Sequence, residues 1–192
     1  AIRMISKSEK KQQMGMIFIG FAILMYGMEL MSDSMASVRT LDGFDTFLTT
    51  LKSPIAALLI STVFTGIIQS SAATIGIVQA LALAGGITWE MAIPLVLGAN
   101  IGTCITALIS AVGTNKNAKR VVVMHFSVNV FGSLLCMVIM YVLRGFGVSI
   151  LNTEIAMVGV AVIHTLFNTL NTIILLPLKK VLIKFCEFVV PD

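Results

Sequence analysis

Between Pro54 and Ile87 the chain carries two apolar runs that are each too short to cross a membrane and together too long for one straight helix. PIAALLISTVFTGII has 15 residues and IGIVQALALAGGI has 13, and the polar stretch QSSAAT separates them. At 1.5 Å per residue the two runs extend roughly 22 Å and 20 Å, against a hydrocarbon core of about 30 Å. Lipid offers no partner to exposed N–H and C=O groups, so an interrupted helix is tolerated there only where protein, water or a ligand satisfies the break. The economical solution is a re-entrant pair of half-helices over 54–87, with its tip at Gln69-Ser70-Ser71 inside the membrane. The premise that this is a membrane chain rests on composition: 57% of the 192 residues are hydrophobic and 11% are charged, where a water-soluble domain is about 25% charged. That balance excludes disorder, a nucleic-acid module and an ordinary soluble enzyme.

The rest of the chain divides around this segment. Met14 to Met31 gives 18 apolar residues, roughly 27 Å of helix and enough for one span. Residues 32–53 are polar, with Met31, Met35, Val38 and Leu41 spaced for a weakly amphipathic interfacial helix. Residues 91–113 are long enough to cross, but GANIGT places two glycines and an asparagine in the middle, which predicts a helix unwound near Gly98 to Thr103. Val121 to Leu143 and Ile155 to Leu178 are uninterrupted spans, and residues 179–192 read as an amphipathic tail. The opening AIRMISKSEKKQQ is polar where a secretory signal needs an apolar core.

Charge orders this layout across the membrane. With Arg3, Lys7, Lys10 and Lys11 in the cytoplasm and 54–87 entering and leaving on one side, Lys116, Lys119 and Arg120 fall inside, as do Lys179, Lys180 and Lys184. Both termini are then cytoplasmic. A single crossing of 54–87 would put the Lys116 loop outside, against the positive-inside rule, whereas two very short crossings would preserve parity as the re-entrant pair does, so charge excludes only the single crossing.

The two breaks are where polar chemistry concentrates. A half-helix starting after Ser70-Ser71 points its positive dipole end at the break and suits an anion, while the preceding half-helix ends in carbonyls that suit Na⁺. Hydroxyls of Ser70, Ser71, Thr74 and Thr103 and the amides of Gln69 and Asn100 can add ligands to either. The plainer alternative is that these hydroxyls bond back to the preceding turn and that Gly98-xxx-Gly102 is a close helix contact. Two HxxxN pairs, His125 with Asn129 and His164 with Asn168, each share a helix face, extended by Asn171. Interhelical hydrogen bonding is favoured for them over a proton relay or substrate contact. No Asp, Glu, Lys or Arg lies well inside a predicted span, which tilts coupling toward Na⁺ rather than protons. Cys104, Cys136 and Cys186 lack metal or redox spacing. Neither a nucleophile and base pair nor a nucleotide loop is visible, so no enzyme and no cofactor is expected.

IIQSSAATIGIVQALALAGGI, IPLVLGANIGTCITALIS, NKNAKRVVVMHFSVNVFG and HTLFNTLNTIILLP, in that order, resemble the bacterial branch of the type II sodium/phosphate cotransporter (PNaS) family. The likeness runs from about Gly15 to Leu178. It implies an all-α integral membrane fold, here one half of an inverted-repeat transporter with a re-entrant hairpin and a broken helix, in a bacterial cytoplasmic membrane. Carried over by position, Gln69, Ser70, Ser71 and Thr74 match the hairpin tip implicated in phosphate and sodium binding, and Asn100, Gly102 and Thr103 match the broken-helix motif. Ser70, Ser71, Asn100 and Thr103 are the Na⁺ candidates. Two positions depart from the family pattern: Ala72 replaces the third serine of QSSS, and Cys104 stands where threonine is common. The family carries two QSS repeats and this chain has one, placed as in the C-terminal repeat, so a second homologous repeat is the expected partner, upstream in the same product or on another chain. Many bacterial members also carry a PhoU-like domain after the last span. The expected function is Na⁺-coupled transport of inorganic phosphate, with lipid as surroundings and no nucleic-acid partner; the alternative is a non-transporting membrane scaffold or regulatory subunit.

Overall fold

The computed structural model describes residues 8–38 and 40–191. Among these the chain is all-helical: α1 (Glu9–Val38), α2 (Phe44–Leu51), α3 (Pro54–Ile68), α4 (Ser71–Ala84), α5 (Trp89–Ser110), α6 (Lys116–Gly145), a 3-10 turn (Ser149–Asn152), α7 (Met157–Leu175) and α8 (Lys179–Val189). Helices α1, α5, α6 and α7 are long and apolar enough to cross a membrane, and the chain is an integral membrane protein.

Local chemistry sets the helix ends. Pro54 opens α3, where its missing N–H costs nothing. Asn115 caps α6 by accepting from Ala118 N at 2.9 Å. Gly85 and Gly113 adopt positive φ just past α4 and α5, a conformation that stops a helix without side-chain strain.

Helix α5 is the centre of the bundle. Met91, Ala92, Leu95, Val96, Leu97, Ala99 and Cys104 are all buried on it, and its packing against α3 is backbone to backbone. A Cβ on Gly98 would press on Leu58 O and lie 2.8 Å from Ser61 Cβ, and one on Gly102 would lie 2.6 Å from both Thr62 O and Thr65 Cβ. As the α5 contacts advance from 98 to 102 their α3 partners advance from 58 to 66, so the two helices run parallel. Ser61 Oγ adds a buried hydrogen bond to Leu95 O.

Two sequence expectations are corrected here. The unwinding predicted at Gly98 to Thr103 is absent: α5 is helical without interruption from Trp89 to Ser110. Its glycines serve close approach to α3, which satisfies the backbone inside the helix and lets small residues replace side-chain contact. The predicted break between a span at 14–31 and an interfacial helix at 32–53 also falls elsewhere. Helix α1 continues through Ser32 to Val38, because Met31 and Met35 extend its apolar face onto the core and onto Gly76. The separate amphipathic piece is α2, which buries Phe44 and Leu51 and meets α3 at a bend of 111°.

At one end of the bundle the connections are laced together. Ile155 N donates to Ile87 O at 3.1 Å and Trp89 N to Thr153 O at 3.2 Å, while Arg144 Nη1 pairs with Glu90 Oε1 at 2.6 Å. The tail helix α8 lies across the opposite part of α6, where Arg120 Nε donates to Val190 O at 3.0 Å and Phe131 meets Phe185 edge to face.

Candidate functional site

The chain reverses between α3 and α4 at two residues. Gln69 takes a left-handed conformation, φ 60° and ψ 24°, and is the one non-glycine residue with positive φ among the described residues. Ser70 is extended and caps α4, its Oγ accepting from Ala73 N at 3.2 Å. Thr65 and Thr74, which a straight helix would hold about 13 Å apart, share a buried hydrogen bond of 2.8 Å between their hydroxyls. That distance fixes the reversal as a hairpin, two short helices meeting at the QSS motif.

The tip has the electrostatics of a split site. Four N–H groups open every helix without intrahelical partners. In α4, Ser70 occupies the amide of Ala73 and Ser70 O that of Thr74, which leaves the Ser71 and Ala72 amides facing the break. Helix α3 ends opposite them in its last carbonyls, with Thr65 O alone taken, by Gln69 N. Amides with the positive dipole end favour an anion and the carbonyl end favours a cation, side by side. Gln69 and Ala72 are exposed, and Ser70 and Ser71 are half-buried.

The second set of sequence candidates lies deeper along α5. Gly102 packs on Thr65, the residue whose hydroxyl holds Thr74, so it is joined to the hairpin by contact. Asn100 and Thr103 instead bond their own helix, Nδ2 to Val96 O at 3.0 Å and Oγ1 to Ala99 O at 2.8 Å. Because α3 and α5 run parallel with Gly102 beside Thr65, Asn100 sits about 10 Å below Ser70 along the bundle. Thus Gln69, Ser70, Ser71 and Thr74 gather at the tip with Gly102 behind them, while Asn100 and Thr103 line the helix beneath. Among the described residues no group of three His, Cys, Asp or Glu side chains could hold a metal ion, so any cation here would meet neutral oxygens.

Two buried polar residues of α3 lie outside the expected site set: Thr65, which bonds Thr74 across the hairpin, and Ser61, which bonds Leu95 O of α5. Their signal was present: Ser61, Thr65 and Gly66 make a small polar stripe at i, i+4 and i+5 on an otherwise apolar helix. The first HxxxN pair makes the expected interhelical contact, with Cys104 of α5, while the second, among the described residues, bonds only within its own helix. Asn129 and Asn168 each donate to the backbone of the histidine four residues before them. Asn171 makes the bond between helices, to Val128 O at 3.1 Å, with its carboxamide seated against Gly132. His125 faces Cys104 of α5, Nε2 3.9 Å from Sγ.

With that geometry in place, the comparison with known proteins is informative. The sequence profile of the Na+/Pi-cotransporter family matches residues 23–168. The chain belongs to that family. YqeW of Bacillus subtilis, described as uncharacterized, is 32% identical over 183 residues, 94% of this chain and 58% of that protein. YjbB of Escherichia coli, described as a putative inorganic phosphate export protein, is 25% identical over 189 residues, 97% of this chain and 34% of that protein. The human sodium-dependent phosphate transport protein 2B is 40% identical over 83 residues, 41% of this chain and 12% of that protein. The chain therefore spans between about a third and about three fifths of the two bacterial relatives. No solved structure matches it significantly. The family is one of transporters.

Proposed function

We propose that this chain forms one repeat of a bacterial inner-membrane protein that transports inorganic phosphate with Na⁺ as coupling ion. The observation that carries the reading is the break at Gln69-Ser70, which sets free amides and free carbonyls side by side in an apolar bundle. Phosphate is held by the first amides of α4 with the Ser70 and Ser71 hydroxyls, and Na⁺ by the terminal carbonyls of α3 with Ser70 and Ser71, while Asn100 and Thr103, about 10 Å below, are too far to share that ion and would serve a separate Na⁺. Gln69 and Thr74 orient the two halves. In this reading the hairpin is re-entrant, both termini are cytoplasmic, lipid covers the outer faces, and a second homologous repeat covers the exposed tip. The lacing of Ile87–Glu90 to Arg144–Ile155 supports the layout, since the charge pattern places both segments on the outer side. No cofactor beyond the coupling ion is required.

The test uses the full-length protein in proteoliposomes, with radiolabelled phosphate flux measured in both directions under an imposed Na⁺ gradient and with Na⁺ replaced by K⁺. Flux that needs Na⁺ and falls at least about tenfold in Ser70→Ala and Ser71→Ala is expected, since each hydroxyl bound to a charged ligand contributes about 1.5 to 3 kcal/mol. Equal flux in Na⁺ and K⁺, or in the wild type and both variants, would overturn it.

A further inference from the structure

The tip opens sideways onto a groove of about 530 Å³ between α1, α4 and α7. Helix α1 supplies an apolar wall of Leu24, Gly27, Met28 and Met31. The other wall carries Ser71 and Gln79 of α4 and His164 of α7. Ser71, Ile75 and Gln79 fall at i, i+4 and i+8, so they line one face of α4. Gln79 Nε2 reaches Met157 O at 3.5 Å, which sets the level of α7 against α4.

From that point the two helices can be measured. Ser71 lies eight residues before Gln79, about 12 Å along α4, and His164 lies seven residues after Met157, about 10 Å along α7. Since both line one groove, the helices run antiparallel and the imidazole comes level with Ser71, at the same first turn of α4 whose Ser71 and Ala72 amides face the break. His164 is half-buried, and among the described residues its ring makes no hydrogen bond, its backbone carbonyl alone serving Asn168. Among the described residues no other titratable side chain lines the groove.

We propose that His164 is a substrate-contacting residue that donates a ring N–H to the oxyanion held at Ser71, and that the groove is the anion's lateral approach. The proposal rests on the phosphate reading above and adds to it a donor from a different helix. From α7, across the groove, a ring N–H would reach an anion at Ser71 from a second side, while the Ser71 and Ala72 amides meet it from the break. Such a donor also discriminates against planar anions of equal charge, because its direction is set by α7 and not by the tip.

The experiment measures phosphate flux in proteoliposomes of the full-length protein with Ser71→Ala, His164→Leu and His164→Gln. His164→Leu should raise the KM for phosphate by about tenfold at equal protein yield, as expected for one lost hydrogen bond to a charged ligand. His164→Gln, which keeps an N–H donor, should recover most of that loss. As a second readout, Met28→Cys in a background lacking Cys104, Cys136 and Cys186 should label with a polar maleimide and be protected by phosphate. If Ser71→Ala impairs flux while His164→Leu keeps the wild-type KM, the proposal is wrong and the phosphate reading stands. If Ser71→Ala and His164→Leu both match the wild type, the phosphate reading itself fails. Equal impairment in His164→Leu and His164→Gln, with no protection of residue 28, would assign His164 to packing and overturn the proposal.

Discussion

Gly102→Ala decides whether α5 is pressed against α3 as described. In a helix that meets nothing at this position, replacing glycine by alanine stabilises by up to about 1 kcal/mol through helix propensity alone. Here the new Cβ would lie 2.6 Å from Thr62 O and from Thr65 Cβ, and 3.2 Å from Gly66 N. Two of these atoms belong to backbone, so no rotamer change relieves them and α3 must withdraw by several tenths of an ångström. Overpacking of this kind costs about 1 to 3 kcal/mol. The withdrawal also strains the Thr65–Thr74 bond of 2.8 Å, and interhelical bonds in membranes are worth about 0.6 kcal/mol on average. Overpacking and the hydrogen bond outweigh the propensity gain, so a net loss of about 1 to 2 kcal/mol is expected. Reversible unfolding in mixed micelles, with SDS as denaturant and circular dichroism as signal, resolves that difference. A variant as stable as the wild type, or more stable, would show that the glycine does not hold α3 in contact and would return the unwound form of residues 98–103 to consideration.

Three further outcomes follow from the same contacts. Asn171→Leu should lose the bond to Val128 and the fit against Gly132, lowering stability by about 0.6 kcal/mol or more in the same unfolding assay, whereas Asn168→Leu, which gives up a bond within its own exposed turn, should stay within about 0.5 kcal/mol. Ser61→Ala should cost about 1 kcal/mol by removing the buried bond to Leu95 O, and should do so while leaving the KM for phosphate unchanged, the reverse of Ser71→Ala. Burial first and the Glu187 carboxylate second push the Cys186 thiol above its ordinary 9.0, so iodoacetamide at pH 8 should modify it more slowly in the folded protein than after SDS unfolding. By linkage, the stability tied to the neutral thiol is complete below pH 9 and is lost as pH rises through the folded value; a Cys186→Ser variant should flatten that alkaline loss.

The hairpin was legible in the sequence because membrane thickness and helix rise are fixed lengths, and 15 and 13 apolar residues fit neither one span nor two. Its tip was legible because Gln, Ser and Ser interrupt an otherwise apolar stretch just where the helix reverses. What composition could not decide was the use of glycine: Gly98 and Gly102 are equally suited to unwinding a helix and to letting a neighbour approach, and the choice depends on α3, about 40 residues away in sequence. The extent of α1 was obscured for a related reason. Ser32, Asp33 and Ser34 end an apolar run without ending a helix, since Met35 and Val38 pack on the core and Met31 on Gly76. The histidines showed their helix face but not their partners, because a period of four residues is shared by bonds to the preceding turn and bonds to the next helix.

The lacing at Ile87–Glu90 and the backbone contact between α3 and α5 together have a mechanical meaning. Helices whose main chains touch cannot slide or flex independently, so α3 and α5 move as one beam pinned at the end where Ile155 and Thr153 hold it. The QSS tip lies toward the far end of that pair, level with about residue 107 of α5 and so about 25 Å from Glu90, beyond the point where Cys104 meets His125 of α6. Swinging the beam by about 10° would carry the tip about 4 Å, on the order of the diameter of a tetrahedral oxyanion, with every bond inside the hairpin left intact. Under the proposed transport, leverage of this kind would convert a small tilt at a pinned end into passage or closure at the far one.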